Sequence, residues 1–170
     1  MAFAELRSTV SAPWSELQPI RVGDRPSRLG TPDRYVLVDT GKKLLRIDIY
    51  VGVAARVFEE VVVWHGLVVV GFAEQVFVVR LADGYAKEIK LEGYFGHLYL
   101  EEDALLVASQ CHLRRLSRKG ELAWTSIDLG LDGVIVDRIE NGVIYGQGEW
   151  DPPGGWRPFV LSLDTGCYVI

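Results

Sequence analysis

Residues 105–124, LLVASQCHLRRLSRKGELAW, decide the fold. They contain two short strand-like runs, Leu105–Ser109 and Leu113–Leu116, then the polar turn Ser117–Gly120 and a third run that includes Trp124. The runs are too short for helices, and a glycine that ends such a turn supplies the positive φ of a tight antiparallel hairpin. The stretch therefore predicts three consecutive antiparallel strands.

The same kind of turn recurs along the chain. A strand-like run is followed by polar residues and then by Gly41, Gly84, Gly120 or Gly166, at spacings of 43, 36 and 46 residues. Val, Ile, Leu and Tyr dominate the intervening runs, and side chains branched at Cβ favour extended backbone. A period of about forty residues with about four strands in each is typical of β-propeller blades.

From Arg34 onward the sequence contains about fourteen strand-like runs. They form three complete sets of four, preceded by two strands that we interpret as the last two of an earlier set. The earlier pair is Tyr35–Asp39 and Leu44–Tyr50; the complete sets are Val61–Trp64, Leu67–Phe72, Val76–Leu81 and Tyr85–Leu91; Leu98–Leu100, Ala104–Ser109, Leu113–Leu116 and Leu122–Ile127; and Val134–Arg138, Val143–Gly148, Phe159–Leu163 and Cys167–Ile170. The sequence thus predicts an all-β fold of antiparallel four-stranded units in a small or incomplete β-propeller-like arrangement.

The first 33 residues differ from the rest of the chain. They hold four of the seven prolines and little periodicity, and Phe3–Val10 fits one short helical turn. We therefore expect an N-terminal extension at 1–33, partly irregular, and a single β-propeller-like repeat domain at 34–170. Three and a half sets are fewer than a full propeller needs. Either residues 1–33 supply the missing strands or the stack of sheets is open.

The stretch from Leu105 to Trp124 resembles a repeat of the pyrroloquinoline-quinone-type β-propellers. In that family two strands and a turn ending near Leu-Asp are followed by Gly-x-x-x-Trp, which Gly120 and Trp124 match, with Ser117 in place of the usual Asp. The resemblance implies blade architecture and a Trp124 buried between neighbouring sheets. It does not imply a cofactor, and we expect none.

Composition narrows the classes of function. The chain has 170 residues and a formal net charge of −5, so we expect no nucleic-acid partner, because phosphate backbones require clustered positive charge. Its longest apolar runs are strand-sized and its first residues lack the features of a signal peptide, so we expect no membrane association. With two cysteines only, Cys111 and Cys167, a cytoplasmic location is expected. A mean hydropathy of +0.15 and the apolar end at Cys167–Ile170 favour self-association as a homodimer.

No catalytic residue and no metal ligand are expected. His65, His97 and His112 lack a metal-ligand spacing, and Glu101–Asp103 falls where a hairpin must turn. Glu149 and Asp151, two residues apart, would share one face of a strand, but no second element completes an acid–base site.

The most unusual stretch is GEWDPPGGWRP at 148–158, which lengthens one hairpin by about eight residues relative to its counterparts. Its Pro-Pro-Gly-Gly cannot continue a strand ladder, so it forms a protruding loop. Tryptophan and arginine are enriched in binding hot spots. We therefore predict a partner- or ligand-binding site at Trp150, Asp151, Trp156 and Arg157.

These features favour a small, non-enzymatic protein-interaction module that binds a protein partner or a second copy of itself. Two alternatives remain open. One is a propeller-type enzyme, a lyase or hydrolase with polar residues converging from several units. The other is a carbohydrate-binding domain that uses the flat faces of Trp150 and Trp156.

Overall fold

The computed structural model describes residues 2–24, 30–52 and 58–169. Within these ranges the chain forms fifteen strands and one short 3-10 turn at Trp14–Glu16, arranged in four sheets that are mainly antiparallel. The predicted all-β class with four-stranded, propeller-like units is therefore confirmed. The contacts divide the chain into two units, residues 1–90 and residues 91–170, with two sheets in each.

Sheet 1, in the first unit, has the strand order β1-β3-β4-β2, with β2 parallel to β4. Its strands are β1 (Phe3–Arg7), β2 (Ile20–Gly23), β3 (Arg34–Asp39) and β4 (Leu44–Tyr50). Strands from residues 1–33 therefore supply the missing half of this set. Along the chain β3 and β4 are its last two strands, as predicted, and within the sheet they form the inner pair. The division into an N-terminal extension at 1–33 and a single repeat domain at 34–170 stays a prediction.

The expected helical turn at Phe3–Val10 is wrong, because the segment contains β1. Ala4 and Leu6 pack against the core of the unit, while Phe3 is largely exposed. This alternation has the period of a strand, which a helix would not satisfy.

A buried ion pair lies on sheet 1. Nε and Nη2 of Arg46 donate to the two oxygens of Asp48 at 2.8 and 2.9 Å, and Asp48 is only 2% exposed. The same guanidinium donates through Nη1 to the carbonyl of Ser15 at 3.2 Å. Arg46 thus ties the 3-10 turn at Trp14–Glu16 to β4, and the bonds to Asp48 raise its pKa above the ordinary value.

Sheet 2 is a simple meander within the same unit. Its consecutive strands are β5 (Glu59–Trp64), β6 (Leu67–Phe72), β7 (Gln75–Arg80) and β8 (Ala86–Lys90). His65 and Gly66 form the two-residue turn between β5 and β6 with φ values of 46° and 77°, so this histidine occupies a turn position. Sheets 1 and 2 share a core of buried aliphatic and aromatic side chains that includes Val36, Ile47, Val70 and Phe77.

The second unit contains sheets 3 and 4. Sheet 3 consists of β9 (Phe95–Leu100), β10 (Leu105–Ser109), β11 (Leu113–Leu116) and β12 (Leu122–Thr125); sheet 4 consists of β13 (Val134–Glu140), β14 (Val143–Glu149) and β15 (Trp156–Ser162). Their shared core includes Leu106, Leu113, Ile144, Phe159 and Leu161.

Trp124 connects these two sheets. Its indole Nε1 donates to the carbonyl of Leu163 at 3.0 Å, and its six-membered ring lies against Gly166, where an added Cβ would be 2.6 Å from Cε3. Arg115, the cross-strand neighbour of Trp124, faces Asp164 of the same turn at 3.6 Å. Trp124 is half-buried rather than buried as expected, but it packs between two sheets.

The four turn glycines adopt nearly the same backbone conformation. The φ values of Gly41, Gly84, Gly120 and Gly166 are 72°, 74°, 72° and 70°, as the sequence repeat predicts. At the third turn the hydroxyl of Ser117 accepts from the backbone N–H of Lys119 and Glu121, so serine performs the turn-closing role of the usual aspartate there.

The fourth strand expected in sheet 4 is reduced to one bridge. Tyr168 pairs with Leu161, and the Val169 N–H donates to the carbonyl of Val160 at 3.1 Å. Tyr168 and Val169 remain 50% and 46% exposed, and Ile170 lies outside the described residues. Described sheet 4 therefore has three strands where the other sheets have four.

Candidate functional site

The hairpin that carries the candidate site is paired throughout its length. β14 and β15 are in antiparallel register from Val143 and Ser162 to Glu149 and Trp156, so the loop itself is residues 150–155. The pairing of these strands across a protruding loop is as expected from the sequence.

The loop is held by its own hydrogen bonds. The Trp150 N–H donates to the carbonyl of Gly155 and the Gly155 N–H to that of Asp151, both at 2.9 Å. The carboxylate of Glu149 accepts from the Gly154 N–H at 2.7 Å. Glu149 therefore holds the loop in place. This hydrogen bond gives a structural role to a carboxylate whose spacing from Asp151 had made it an acid–base candidate.

Trp156 is the exposed aromatic side chain of the site. It is 39% exposed, and its indole rests on Gly133, where an added Cβ would lie 3.1 Å from Cη2. Gly133 is itself held on both sides, since its N–H donates to Gln110 and its carbonyl accepts from the N–H of Glu149. The indole thus has a fixed support on one side and solvent access on the other.

Trp150 and Arg157 form a second contact within the site. The guanidinium carbon of Arg157 lies 5.8 Å from the centre of the Trp150 ring, within the range of a cation–π interaction. Trp150 is half-buried, whereas Asp151 and Arg157 are exposed. The structure therefore pairs Trp150 with Arg157, places Trp156 on Gly133, and leaves Asp151 as an exposed carboxylate in the loop.

The outer edge of β15 extends this surface and was not predicted. The Leu163 N–H donates to the carbonyl of Gly142, on the inner side of the sheet. The Ser162 N–H and the Val160 carbonyl instead form hydrogen bonds with the segment that follows β15. The backbone groups of the even-numbered residues of β15 therefore point away from the sheet. At Pro158, which is exposed, that outward position has no N–H. Proline at an open edge discourages the addition of another strand, so a partner would meet side chains here rather than a backbone ladder.

A hydrogen-bonded corner lies behind Trp156. The Tyr94 hydroxyl donates to the carbonyl of Asp132 at 2.8 Å, and the Leu131 N–H donates to the carbonyl of Glu149 at 2.6 Å. Burial, together with the nearby carboxylate of Asp132, raises the pKa of Tyr94 to about 12. This corner fixes the segment that carries Gly133.

We expect Tyr94 to ionise near pH 12 rather than at its ordinary value of about 10. A raised pKa means that the folded state favours the neutral phenol over the phenolate. The resulting contribution of Tyr94 to the free energy of unfolding is therefore complete below a pH of about 10 and is lost as the pH rises toward 12. The check is the phenolate absorbance of the wild type minus that of Tyr94→Phe. A difference step centred near pH 10 in the folded protein would contradict the expectation.

The other charged candidates have structural partners. Arg118 forms ion pairs with Glu102 and Asp103, next to the turn between β9 and β10. His112 lies 2.9 Å from Asp128 through Nε2. In the described ranges, no three His, Cys, Asp or Glu side chains form a group that could hold a metal ion.

Neither a protein-family model nor a curated protein sequence matches this chain. The structure defines the class as an all-β protein with propeller-like sheets of three or four strands in the described residues. Membership of the pyrroloquinoline-quinone-type repeat family stays a prediction from the stretch around Trp124. No helix in the part of the chain that the structure describes has the length and apolar character to span a bilayer.

Proposed function

We propose that this protein is a non-enzymatic protein-interaction module and that Trp150, Asp151, Trp156 and Arg157 form its binding surface. The observation that carries the proposal is the 39% exposed indole of Trp156, fixed on Gly133 at the end of a paired hairpin. A large aromatic side chain held in place loses little conformational entropy on binding, and exposed tryptophan dominates many interfaces.

The partner that the surface fits first is a second copy of the chain. Trp156, Pro158 and Val169 are exposed apolar side chains near the same edge of sheet 4. Asp151 and Arg157 are exposed and carry opposite charges in the same hairpin, so a two-fold arrangement can set each charge of one copy against its opposite on the other. An exposed apolar edge and a pair of opposite charges are what a self-complementary interface requires.

Sedimentation equilibrium over a concentration series tests this proposal. We expect a reversible dimer in the wild type, and at least about 30-fold weaker association in Trp156→Ala, since a hot-spot residue contributes about 2 kcal/mol or more. Tyr85→Ala is the matched control, because Tyr85 is an even more exposed aromatic side chain, 60% exposed, in the hairpin connection between β7 and β8 of the first unit.

A second variant separates binding from folding. Replacing Asp151–Gly155 with a two-residue Asn-Gly turn removes the loop but leaves the β14–β15 register outside it, and loop length contributes little to closure entropy. It is expected to fold and to remain monomeric. A wild type that is monomeric throughout, or association unchanged by Trp156→Ala, would show that this surface does not bind a second copy.

The carbohydrate-binding alternative that the sequence left open gains less support from the geometry. A flat sugar-binding platform needs two free indole faces, and Trp150 is half-buried with Arg157 over its ring. The cytoplasmic location is part of the proposal and rests on Cys111 and Cys167, which are both free thiols.

A further inference from the structure

Sheet 4 has a second face, opposite the core that it shares with sheet 3. Side chains alternate between the two faces along a strand, and directly paired residues of neighbouring strands share one face. Ile144 and Leu161 are paired and belong to the shared core, so the next pair along the same strands lies on the opposite face. By this register the outer face of sheet 4 comprises Ile135, Val143, Tyr145, Gln147, Pro158 and Val160.

The outer face is rich in apolar side chains that are not fully buried. Of its six residues, Pro158 is exposed and the other five are half-buried. Sheet 3 differs, because Leu105 and Leu106 of β10 point to its two opposite faces and both are fully buried. A contiguous apolar surface in contact with water is unfavourable, and such surfaces are typical of protein–protein contacts.

The charged side chains beside the outer face balance each other. The guanidinium carbon of Arg138 lies 3.9 Å from the centre of the Tyr145 ring, and its Nε lies 3.4 Å from a carboxylate oxygen of Glu140. Arg138 and Glu140 are both more than half exposed, so this ion pair is weak and can exchange partners. A two-fold rotation can set Arg138 of one copy against Glu140 of the other, whereas a strongly acidic or strongly basic partner would meet a charge of its own sign. The charges therefore favour a second copy of the chain.

The area that a dimer buries also calls for the outer face. A specific interface buries about 800 Å² on each partner, whereas one fully buried aromatic side chain contributes about 150–250 Å². Trp156 is 39% exposed and Trp150 is half-buried, so these two indoles fall well short of that area. β14 has seven residues, and three strands at the usual rise and spacing give the outer face dimensions of about 20 by 14 Å. The face therefore adds a flat area of about 300 Å², and more once the relief of its side chains is included.

Trp156 joins the outer face to the proposed binding loop. It is paired with Glu149, and its indole reaches across β14 to Gly133, the residue before β13. The next pair on the same face is Gln147 and Pro158. The outer face and the exposed indole thus form one continuous surface.

We propose that the outer face of sheet 4 is the main contact of the dimer, with the outer faces of two copies packed against each other and Trp156 at one end of the interface. Sheets pack face to face at a distance of about 10 Å through interdigitating side chains. The inference rests on the proposed function, because it specifies how the second copy binds.

Val143→Lys tests the inference. Val143 lies at the far end of the outer face, about 20 Å along β14 from the residue that pairs with Trp156, so the substitution does not touch the loop. A lysine there stays hydrated in the monomer but must leave water in the dimer. We expect the variant to fold and to associate at least about 30-fold more weakly than the wild type in sedimentation equilibrium. Leu122→Lys is the matched control, because it makes the same kind of change at a 48% exposed position on β12 of sheet 3, and it is expected to leave association unchanged.

A dilution series followed by NMR gives a second measurement on the wild type. We expect the methyl resonances of Val143 and Val160 to shift with protein concentration, with the same midpoint as the indole N–H of Trp156. Methyl resonances of both valines that stay constant while the indole resonance shifts would contradict the inference.

The outcomes separate this inference from the proposed function. Association that Trp156→Ala weakens but Val143→Lys does not would overturn the outer face and leave the proposed function standing. A wild type that is monomeric throughout would overturn both. Loss of association in Val143→Lys, with no effect of Trp156→Ala, would support the outer face and contradict the binding surface around Trp156. If Val143→Lys does not fold, Val160→Lys replaces it, since Val160 is also half-buried on the outer face, and unchanged association in that variant contradicts the inference.

Discussion

Replacing Asp48 with alanine is expected to lower the free energy of unfolding by about 3–5 kcal/mol. The substitution leaves the guanidinium of Arg46, whose side chain is 14% exposed, without the carboxylate that now accepts two of its hydrogen bonds. A buried charge that loses its partner is far more costly than the pair is stabilising. The contact of Arg46 with Ser15 would also weaken, releasing the turn at Trp14–Glu16 from sheet 1. Urea unfolding followed by circular dichroism measures the change.

Two comparisons identify the cause of the effect. Arg80 and Asp83 form the same two-bond geometry, at 2.8 and 2.7 Å, but both side chains are about half exposed. Asp83→Ala is therefore expected to cost far less than Asp48→Ala, and most of its small loss comes from the turn hydrogen bond that Asp83 accepts from the Tyr85 N–H. The double substitution Arg46→Met with Asp48→Leu removes both charges and is expected to recover most of the loss. If Asp48→Ala is as mild as Asp83→Ala, the pair does not hold sheet 1 in the way described.

Replacing Trp124 with alanine is expected to cost about 3 kcal/mol, the lower end of the range for large aromatic side chains in cores, because Trp124 is half-buried. The variant loses the packing of the indole on Gly166 and the hydrogen bond to Leu163. An unchanged melting temperature would mean that Trp124 does not connect sheets 3 and 4.

Gly166→Ala tests the contact between Trp124 and Gly166 by changing the glycine. The new methyl would meet the indole of Trp124 at 2.6 Å and would also require alanine at a φ of 70°. Gly84 is the matched control: its turn closes with the same backbone bonds and its φ is 74°, but an added Cβ meets only the tip of Ile20 at 3.2 Å. Both variants carry the left-handed strain of about 1–2 kcal/mol, and Gly166→Ala alone adds an overpacking cost of about 1–3 kcal/mol. Equal losses in the two variants would contradict the contact.

The sheets could be predicted from the sequence wherever strands follow one another through short turns. Leu67–Phe72 and Leu113–Leu116 have the predicted bounds, because turn residues stand directly before and after each of these short runs. β2 was missed because four residues among prolines carry no periodic signal, and its pairing with β4 is non-local. Tyr168 was expected in a strand, but alternation alone does not show how many backbone bonds a segment forms.

The candidate site could be predicted in composition but not in arrangement. Two indoles and an arginine around Pro-Pro-Gly-Gly identified the loop. The support of Trp156 by Gly133 and the open edge at Pro158 depend on packing and strand order, which no local pattern encodes.

The strand order of sheet 1 has a consequence for the order in which the strands pair during folding. In the other three sheets each described strand pairs with its predecessor, so those sheets can form by closing short loops. In sheet 1, β2 pairs with β4, as in the pair Ile20 and Ile47, although β3 lies between these two strands in the chain. Such non-local pairings are slow to form. Pulse-labelling hydrogen exchange during refolding is therefore expected to protect the amides of β2 after those of β6. β2 would then reach its native partner later than β6, although it precedes β6 in the chain.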